Sequence, residues 1–179
     1  GIQAGSNPGD TTNFLIEHNL VFDCETGMEI SVPALYGTSR NNGLLRCQYG
    51  FIDPGTIPGT TYSASASYIV YNGFFDNVYD LVGGRAAIGV NPPPTATTGL
   101  GDIVTTNANG SPSDAYFNIF EDPGLDLNEN FFVDLVAASP WIDAGDPLAP
   151  ADSNGTVADI GLRRDWVGCI DMPMLQQRV

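Results

Sequence analysis

The residues best suited to chemistry lie in a short loop near the C-terminus of this 179-residue chain: Asp152, Asn154, Thr156 and Asp159. Carboxylate, amide and hydroxyl oxygens crowded around a glycine are ligand types that Ca²⁺ prefers. The loop is not an EF-hand, because it lacks the 12-residue frame that ends in a bidentate Glu. Asx turns, in which the carboxylates accept backbone N–H bonds, produce the same pattern without metal. The sequence therefore predicts either a structural calcium site or an Asx-turn network.

A second set of candidate ligands precedes this loop, at Asp122, Asp126, Asn128 and Asn130. His18 is the only histidine, and no local motif places it in a Ser-His-Asp arrangement. We expect it to form a hydrogen bond at a bend of the chain. No residue is assigned a catalytic role.

Composition narrows the classes of partner. The chain has 21 acidic residues, six arginines, no lysine and a net charge of −15, so binding to nucleic acid or to anionic lipid is disfavoured. No apolar run reaches 18 residues, and we expect no membrane insertion. Frequent Gly, Pro, Asn and Asp residues, without a long amphipathic stretch, indicate strands and turns.

A repeat organises the first half of the chain. NLVFDC at 19–24 matches NGLLRC at 42–47 after 23 residues, and NGFFDN at 72–77 follows after 30 more. One short strand with turn formers per unit is typical of a solenoid of stacked coils. Stacking places like residues over one another, so Asn19, Asn42 and Asn72 are predicted to form an asparagine ladder at a bend.

The alternation of side chains along a strand assigns the neighbours of this ladder to two faces. Phe22, Leu45 and Phe75 are expected to fill the interior. Asp23, Arg46 and Asp76 are expected outside, where their signs alternate and Arg46 forms a ladder ion pair. Val21, Leu44 and Phe74 then form an outward apolar stripe. Either a loop of this chain, such as 53–63, or another copy of the chain must cover that stripe.

The three cysteines show no C-x-x-C pattern, which makes a thiolate zinc site improbable. Cys24 and Cys47 occupy equivalent repeat positions, and stacked neighbours about 4.8 Å apart fall within disulfide range. Their parallel side-chain directions make the torsion awkward. A disulfide and a buried pair of reduced thiols both remain open, and Cys169 is left over.

The second half contains a distinctive run: YFNIFEDP at 116–123, LDLNENFFVDL at 125–135, SPWIDAGDP at 139–147 and ADSNGTVADIG at 151–161. This run closely resembles the closing segment of secreted bacterial right-handed parallel β-helix proteins of the pectate-lyase-like superfamily. The resemblance implies an exported or cell-surface protein and does not imply an activity. Polysaccharide lyases with this fold resemble one another in using a Lys or Arg base beside calcium-bound aspartates. The present chain has no Lys.

The expected fold is therefore all-β: a short right-handed parallel β-helix with irregular loop excursions and a C-terminal cap. We interpret residues 1–179 as one domain, with repeat coils at 13–82, a loop excursion at 83–115, the final coil and closing motif at 116–161, and a tail at 162–179. The tail departs from the family pattern, and its Arg163, Arg164 and Trp166 are candidates for docking on the acidic body or on a neighbouring subunit.

The leading functional hypothesis is a non-catalytic extracellular or cell-surface domain with a structural or adhesive role, self-associating into a larger assembly. The alternative is a carbohydrate-active module, either a polysaccharide-binding domain or the C-terminal part of a polysaccharide lyase or hydrolase. Tyrosines that could stack on sugars are Tyr62, Tyr68, Tyr71 and Tyr79.

Overall fold

The computed structural model describes residues 1–4, 13–30, 36–53, 69–83, 87–88, 101–127 and 133–161. This part of the chain contains short β-strands and no helix. The strands are β1 Ile2–Ala4, β2 Asn13–Glu17, β3 Leu20–Phe22, β4 Thr26–Ile30, β5 Tyr36–Arg40, β6 Gly43–Leu45, β7 Tyr49–Asp53, β8 Ile69–Val70, β9 Gly73–Phe75, β10 Tyr79–Gly83, β11 Ala87–Ile88, β12 Thr105–Thr106, β13 Pro112–Ser113, β14 Leu125–Leu127 and β15 Val133–Leu135.

Strands β2 to β10 form three successive repeat units of three strands each. Corresponding strands pair in parallel across the units, which gives one sheet of β2-β5-β8 and a second of β3-β6-β9. The third sheet has the order β1-β4-β7-β10-β11, with β11 as its antiparallel member. The expected all-β architecture of stacked parallel strands is therefore confirmed.

The register of these sheets is the one the repeat predicts. Val21 pairs with Leu44, and Leu44 pairs with Phe74. Met28, Phe51 and Leu81 align in the same way in the neighbouring sheet. Shifts of 23 and 30 residues in the sequence therefore correspond to single steps from one unit to the next.

The predicted asparagine ladder exists and has one more rung than the repeat indicated. The side-chain Nδ2 of Asn19 donates to Asn42 Oδ1 at 2.9 Å, and Asn42 Nδ2 donates to Asn72 Oδ1 at 3.0 Å. Asn118 follows as the fourth rung, because the backbone N of Asn72 donates to its Oδ1 at 2.9 Å. The carboxylate of Asp114 ends the ladder by accepting from Asn118 N at 2.9 Å.

Two left-handed bends flank the short strands β3, β6 and β9. The first bend lies at His18, Asn41 and Tyr71, all with φ of 55–56°, one residue before the ladder asparagines rather than on them. The second bend lies at Asp23, Arg46 and Asp76, with φ between 48° and 54°. Each unit therefore turns sharply at both ends of a three-residue strand, which is how three short strands can face one another.

The main hydrophobic core gathers side chains from all three sheets. Its buried members are Met28, Leu44, Phe51, Ile69, Phe74 and Leu81, with Val21 packed against them. Leu44 and Phe74 have no exposed surface. The expectation that Val21, Leu44 and Phe74 form an outward stripe is therefore wrong. Both faces of these strands are apolar, so alternation alone could not show which face is interior.

The opposite face, which carries Leu45, is the outer face of the sheet and is covered by the C-terminal part of the chain. A second core cluster consists of Leu45, Ile119, Leu135, Trp141, Ala144 and Ile160. The indole of Trp141 is fully buried and lies over Gly43 and Gly73. Phe75 is half-buried beside this cluster, while Phe22 is 37% exposed. The predicted burial is therefore confirmed for Leu45, which lies beneath the closing part of the chain instead of between the sheets, and is wrong for Phe22.

Candidate metal site in the closing segment

We call residues 139–161 the closing segment. Its backbone is fastened to the first bend of the second repeat unit. Asp146 N donates to Asn41 Oδ1 at 2.7 Å, and Gly161 N donates to Asn41 O at 2.8 Å. Within the segment, Ile160 N donates to Trp141 O at 3.0 Å. These bonds hold the two ends of the closing segment side by side and place its acidic residues together.

Three carboxylates of the closing segment form a cluster: Asp143, Asp152 and Asp159 each place one oxygen within 4.8 Å of the others. Asp152 and Asp159 are buried and Asp143 is half-buried. At such a separation two carboxylates repel each other by about 3 kcal/mol for an effective dielectric constant of about 20. A cation bound between them would offset this repulsion, so the three side chains could together hold a metal ion.

Local turns orient the cluster. Asp143 has a φ of 54°, and its backbone N donates to Asp159 Oδ1 at 2.8 Å. Asp152 begins a tight turn in which Gly155 N donates to Asp152 O at 2.8 Å. Gly155 has a φ of 83°, a conformation that costs glycine nothing and costs other residues about 1 kcal/mol or more. The backbone conformation of this turn therefore favours glycine at position 155.

Of the four predicted ligands, the structure brings Asp152 and Asp159 together. Asn154 Oδ1 instead accepts hydrogen bonds from Thr156 N at 3.0 Å and Thr156 Oγ1 at 2.8 Å. The loop thus contains the Asx turn that was the alternative to metal binding, beside a cluster that could bind metal. Ligation by Asn154 and Thr156 stays a prediction.

Asp143, the third member of the cluster, was not among the ligands predicted from the sequence. The signal available was its position in the distinctive run 139–147. Nothing in the spacing indicated that Asp143 would lie opposite residues 152 and 159, because that contact depends on how the segment folds back.

In the second candidate set, Asp122 Oδ1 accepts from Gly124 N at 2.8 Å, which is an Asx turn. Asp126 is exposed and stands opposite Asp134 on paired strands. Asn128 and Asn130 lie outside the described residues.

The two arginines of the repeat units have structural partners. Arg46 forms two hydrogen bonds to Asp23, from Nε to Oδ1 at 2.6 Å and from Nη2 to Oδ2 at 2.7 Å, as expected for the ladder ion pair. These bonds hold the pKa of Asp23 below its ordinary value. Arg40 bridges Glu17 at 2.8 Å and Asp146 of the closing segment at 2.8 Å.

The remaining predicted residues are placed as follows. His18 Nε2 lies 3.3 Å from Asn41 Nδ2, which is the bend-side hydrogen bond that the sequence predicted. The tail residues Arg163, Arg164, Trp166 and Cys169, the loop 54–63, and Tyr62 and Tyr68 lie outside the described residues. The expected excursion at 83–115 includes the short strands β11, β12 and β13.

The sequence matches no protein-family model, no curated protein and no solved structure at a significant level. Within the described ranges, no helix is long and apolar enough to cross a membrane. The likeness of the closing segment to the pectate-lyase-like superfamily therefore stays a prediction made from the residues alone.

Proposed function

We propose that this chain is a short right-handed parallel β-helix, similar to exported proteins of the pectate-lyase-like superfamily, with a structural or adhesive role outside the cell and without catalytic activity. The observation that carries the proposal is that the two arginines of the repeat units, which are the candidates for a catalytic base, are held in ion pairs. Arg46 is bidentate to Asp23, and Arg40 joins Glu17 to the closing segment. These groups tie one repeat unit to the next and to the cap.

The closing segment supports the same proposal. Its Trp141 covers the outer face of β6 and β9, and its backbone is hydrogen-bonded to Asn41 at the first bend of the second unit. A segment that covers an apolar sheet face removes a surface on which other chains would aggregate. Its role as a cap fits the resemblance that the sequence suggested.

Self-association is the part of this proposal that concerns partners. Val21, Leu44 and Phe74 no longer serve as its surface, because they belong to the core. The tail residues Arg163, Arg164 and Trp166 are the remaining candidates, since positive charges would be drawn to the acidic body of a second copy. Such a contact weakens as salt screens the charges.

Mass photometry and negative-stain electron microscopy of the full chain test this. We expect oligomers at low salt that dissociate at high salt, and a shift to monomer for the double variant Arg163→Gln/Arg164→Gln. Arg178→Gln removes one charge from the same tail and serves as the control. A chain that stays monomeric at high concentration and low salt contradicts self-association.

A structural calcium ion at Asp143, Asp152 and Asp159 forms the second part of the proposal. Extracellular calcium modules bind with dissociation constants of about 10⁻⁴–10⁻³ M. At a free Ca²⁺ concentration about 100 times the dissociation constant, binding stabilises the fold by about 2.7 kcal/mol. This corresponds to a rise in Tm of about 5–10 °C for a chain of this size.

Thermal unfolding in Ca²⁺ and in a chelator measures this effect. Asp143→Asn removes a charge from the cluster and should abolish most of the Ca²⁺-dependent rise in Tm. Asp102→Asn makes the same substitution at an exposed site outside the closing segment and should leave the rise intact. If Ca²⁺ leaves the Tm of the unaltered chain unchanged, or raises the Tm of both variants equally, the cluster is not a calcium site.

The carbohydrate-binding alternative is favoured by one observation. Tyr49 and Tyr79 stack with ring centroids 5.6 Å apart, and Tyr71 stacks on Phe117 at 4.9 Å. The three tyrosines are half-buried, so part of each is available to solvent. An aromatic ring that keeps an exposed face can stack on a sugar ring. A glycan array combined with lyase and reducing-sugar assays distinguishes the two functions: saturable binding that Tyr79→Ala removes, or turnover, would replace the structural proposal.

A further inference from the structure

Two thiols from neighbouring repeat units lie against each other. Cys24 and Cys47 follow β3 and β6 at equivalent positions, and their Sγ atoms are 3.2 Å apart. Both residues are free cysteines. A disulfide bond is about 2.0 Å long and joins Cα atoms about 4.4–6.8 Å apart. Strands paired in register hold equivalent residues about 4.8 Å apart. Bond formation therefore needs a sulfur displacement of about 1 Å and no change of register.

The surroundings make the two thiols unequal. Cys24 is half-buried, whereas Cys47 is 2% exposed. Cys24 Sγ donates to Thr26 O at 3.1 Å, and Cys47 Sγ donates to Leu45 O at 3.2 Å. Burial raises the pKa of Cys47 to about 11. A reagent in solution therefore reacts with Cys24 first. The Cys47 sulfur is then close enough to attack the Cys24 adduct.

We propose that Cys24 and Cys47 form an oxidisable pair, which closes into an intramolecular disulfide between the first and second repeat units when a small-molecule disulfide is present. The thiolate of Cys24 attacks one sulfur of the reagent, for example oxidised glutathione, and the other half leaves as a thiolate that takes up a proton. Cys47 loses its proton to solvent and attacks Cys24 Sγ. The Cys24–Cys47 bond forms and the second glutathione thiol leaves. Two protein thiols are oxidised and one reagent disulfide is reduced, so the electrons balance.

The bond would act where the units are already tied together. The preceding residues, Asp23 and Arg46, form the ion pair on the outer surface, and Gln48 N donates to Cys24 O at 3.1 Å. The two cysteines are separated by 23 positions in the sequence. A crosslink of that span restricts the unfolded chain and is expected to raise Tm by about 5–10 °C.

The test uses the full chain, oxidised with glutathione buffers of increasing ratio of disulfide to thiol. Remaining thiols are alkylated in denaturant, and the protein is cleaved at arginine. Cleavage at Arg40, Arg46, Arg85 and Arg164 places Cys24, Cys47 and Cys169 on three different peptides, so mass spectrometry identifies each linkage directly. We expect a Cys24–Cys47 linked pair, a mass loss of two hydrogens, and a rise in Tm that reducing agent reverses.

Single variants separate the two steps. With Cys47→Ser, Cys24 should accumulate a stable glutathione adduct, because its resolving thiol is missing. With Cys24→Ser, the buried Cys47 should stay unmodified in the folded protein. Circular dichroism confirms that each variant retains its strands.

Three outcomes would overturn the proposal. The first is that both cysteines remain alkylatable after oxidation. The second is that Cys24 keeps its glutathione adduct in the unaltered chain. The third is that either residue pairs with Cys169 or with another molecule instead.

Discussion

The contact between Trp141 and Gly73 offers the sharpest test of how the closing segment is held. A Cβ atom added at Gly73 would overlap Cε2 and Cζ2 of Trp141 and would lie 2.8 Å from its Cδ2. Non-bonded carbon atoms normally approach to about 3.5–4.0 Å. In Gly73→Ala the indole must therefore move by more than about 1 Å. Trp141 is fully buried in one cluster with Ile119 and Ile160, so a shift of its ring disturbs the packing of this cluster.

The size of the effect follows from that displacement. Forcing extra volume into a packed core costs about 1–3 kcal/mol, and complete loss of a buried Trp side chain costs about 3–5 kcal/mol. We expect Gly73→Ala to lower the free energy of unfolding by about 3 kcal/mol, measured by urea denaturation and circular dichroism. In a Trp166→Phe background Trp141 is the sole tryptophan, and its emission should shift to the red as the indole meets water.

Two comparisons isolate the contact. Gly155→Ala has open space around the new methyl group but a φ of 83°, so it should cost about 1 kcal/mol through the backbone alone. Combining Gly73→Ala with Trp141→Leu removes the obstructing ring, and the alanine should then cost less than about 1 kcal/mol. An alanine penalty that is near zero, or that is equal with and without the indole, would refute the proposed packing of the closing segment on β9.

Two further predictions concern the asparagine ladder. Asn72→Ala removes the acceptor of Asn42 N and the donor to Ser39 O, both in a fully buried stack, and should cost about 3–5 kcal/mol in urea unfolding. Asn109→Ala is the comparison, because it removes two hydrogen bonds, to Pro140 O at 2.9 Å and to Ile142 O at 2.7 Å, at an exposed site where water can replace them. It should cost only about 1 kcal/mol, and equal losses in the two variants would contradict the ladder's role. Burial raises the pKa of Asp114 above 3.8, despite opposing hydrogen bonds from Gly101, Asn118 and Tyr116. The folded state therefore holds this proton more tightly, so the contribution of Asp114 to stability is present below pH 3.8 and is lost as the pH rises through the folded-state value. An NMR titration of the carboxyl carbon checks this, and a pKa at or below 3.8 would show the inference to be wrong.

The repeat register could be predicted because each unit carries its own copy of the stacking signal. Asn19, Asn42 and Asn72 align through identical side chains that bond to one another, and the apolar positions around them follow. Asn118 was missed as a rung, since 46 residues separate it from Asn72, a step much longer than the 23 and 30 residues between the earlier units. A rung of the ladder can be predicted from the sequence only where the spacing and the neighbouring residues still match the other repeat units.

The two faces of β3, β6 and β9 could not be assigned from the sequence. Leu44 and Leu45 are equally apolar, and both are buried, one between the sheets and the other beneath the closing segment. Gly43 and Gly73 carried a usable signal, because two stacked glycines leave a flat surface on which the Trp141 ring can lie.

The loop around Asp152 to Asp159 was identified from residue types and spacing, and the sequence by itself determined that oxygen ligands and a glycine turn would be concentrated there. Only the tertiary structure decided that Asp143 joins them and that Asp146 meets Arg40, a contact between residues 106 positions apart. Stacked repeats bond like to like, so their register is written in the chain. The closing segment packs on repeat units whose residues differ from its own, so no repeated pattern in the sequence predicts which residues come into contact.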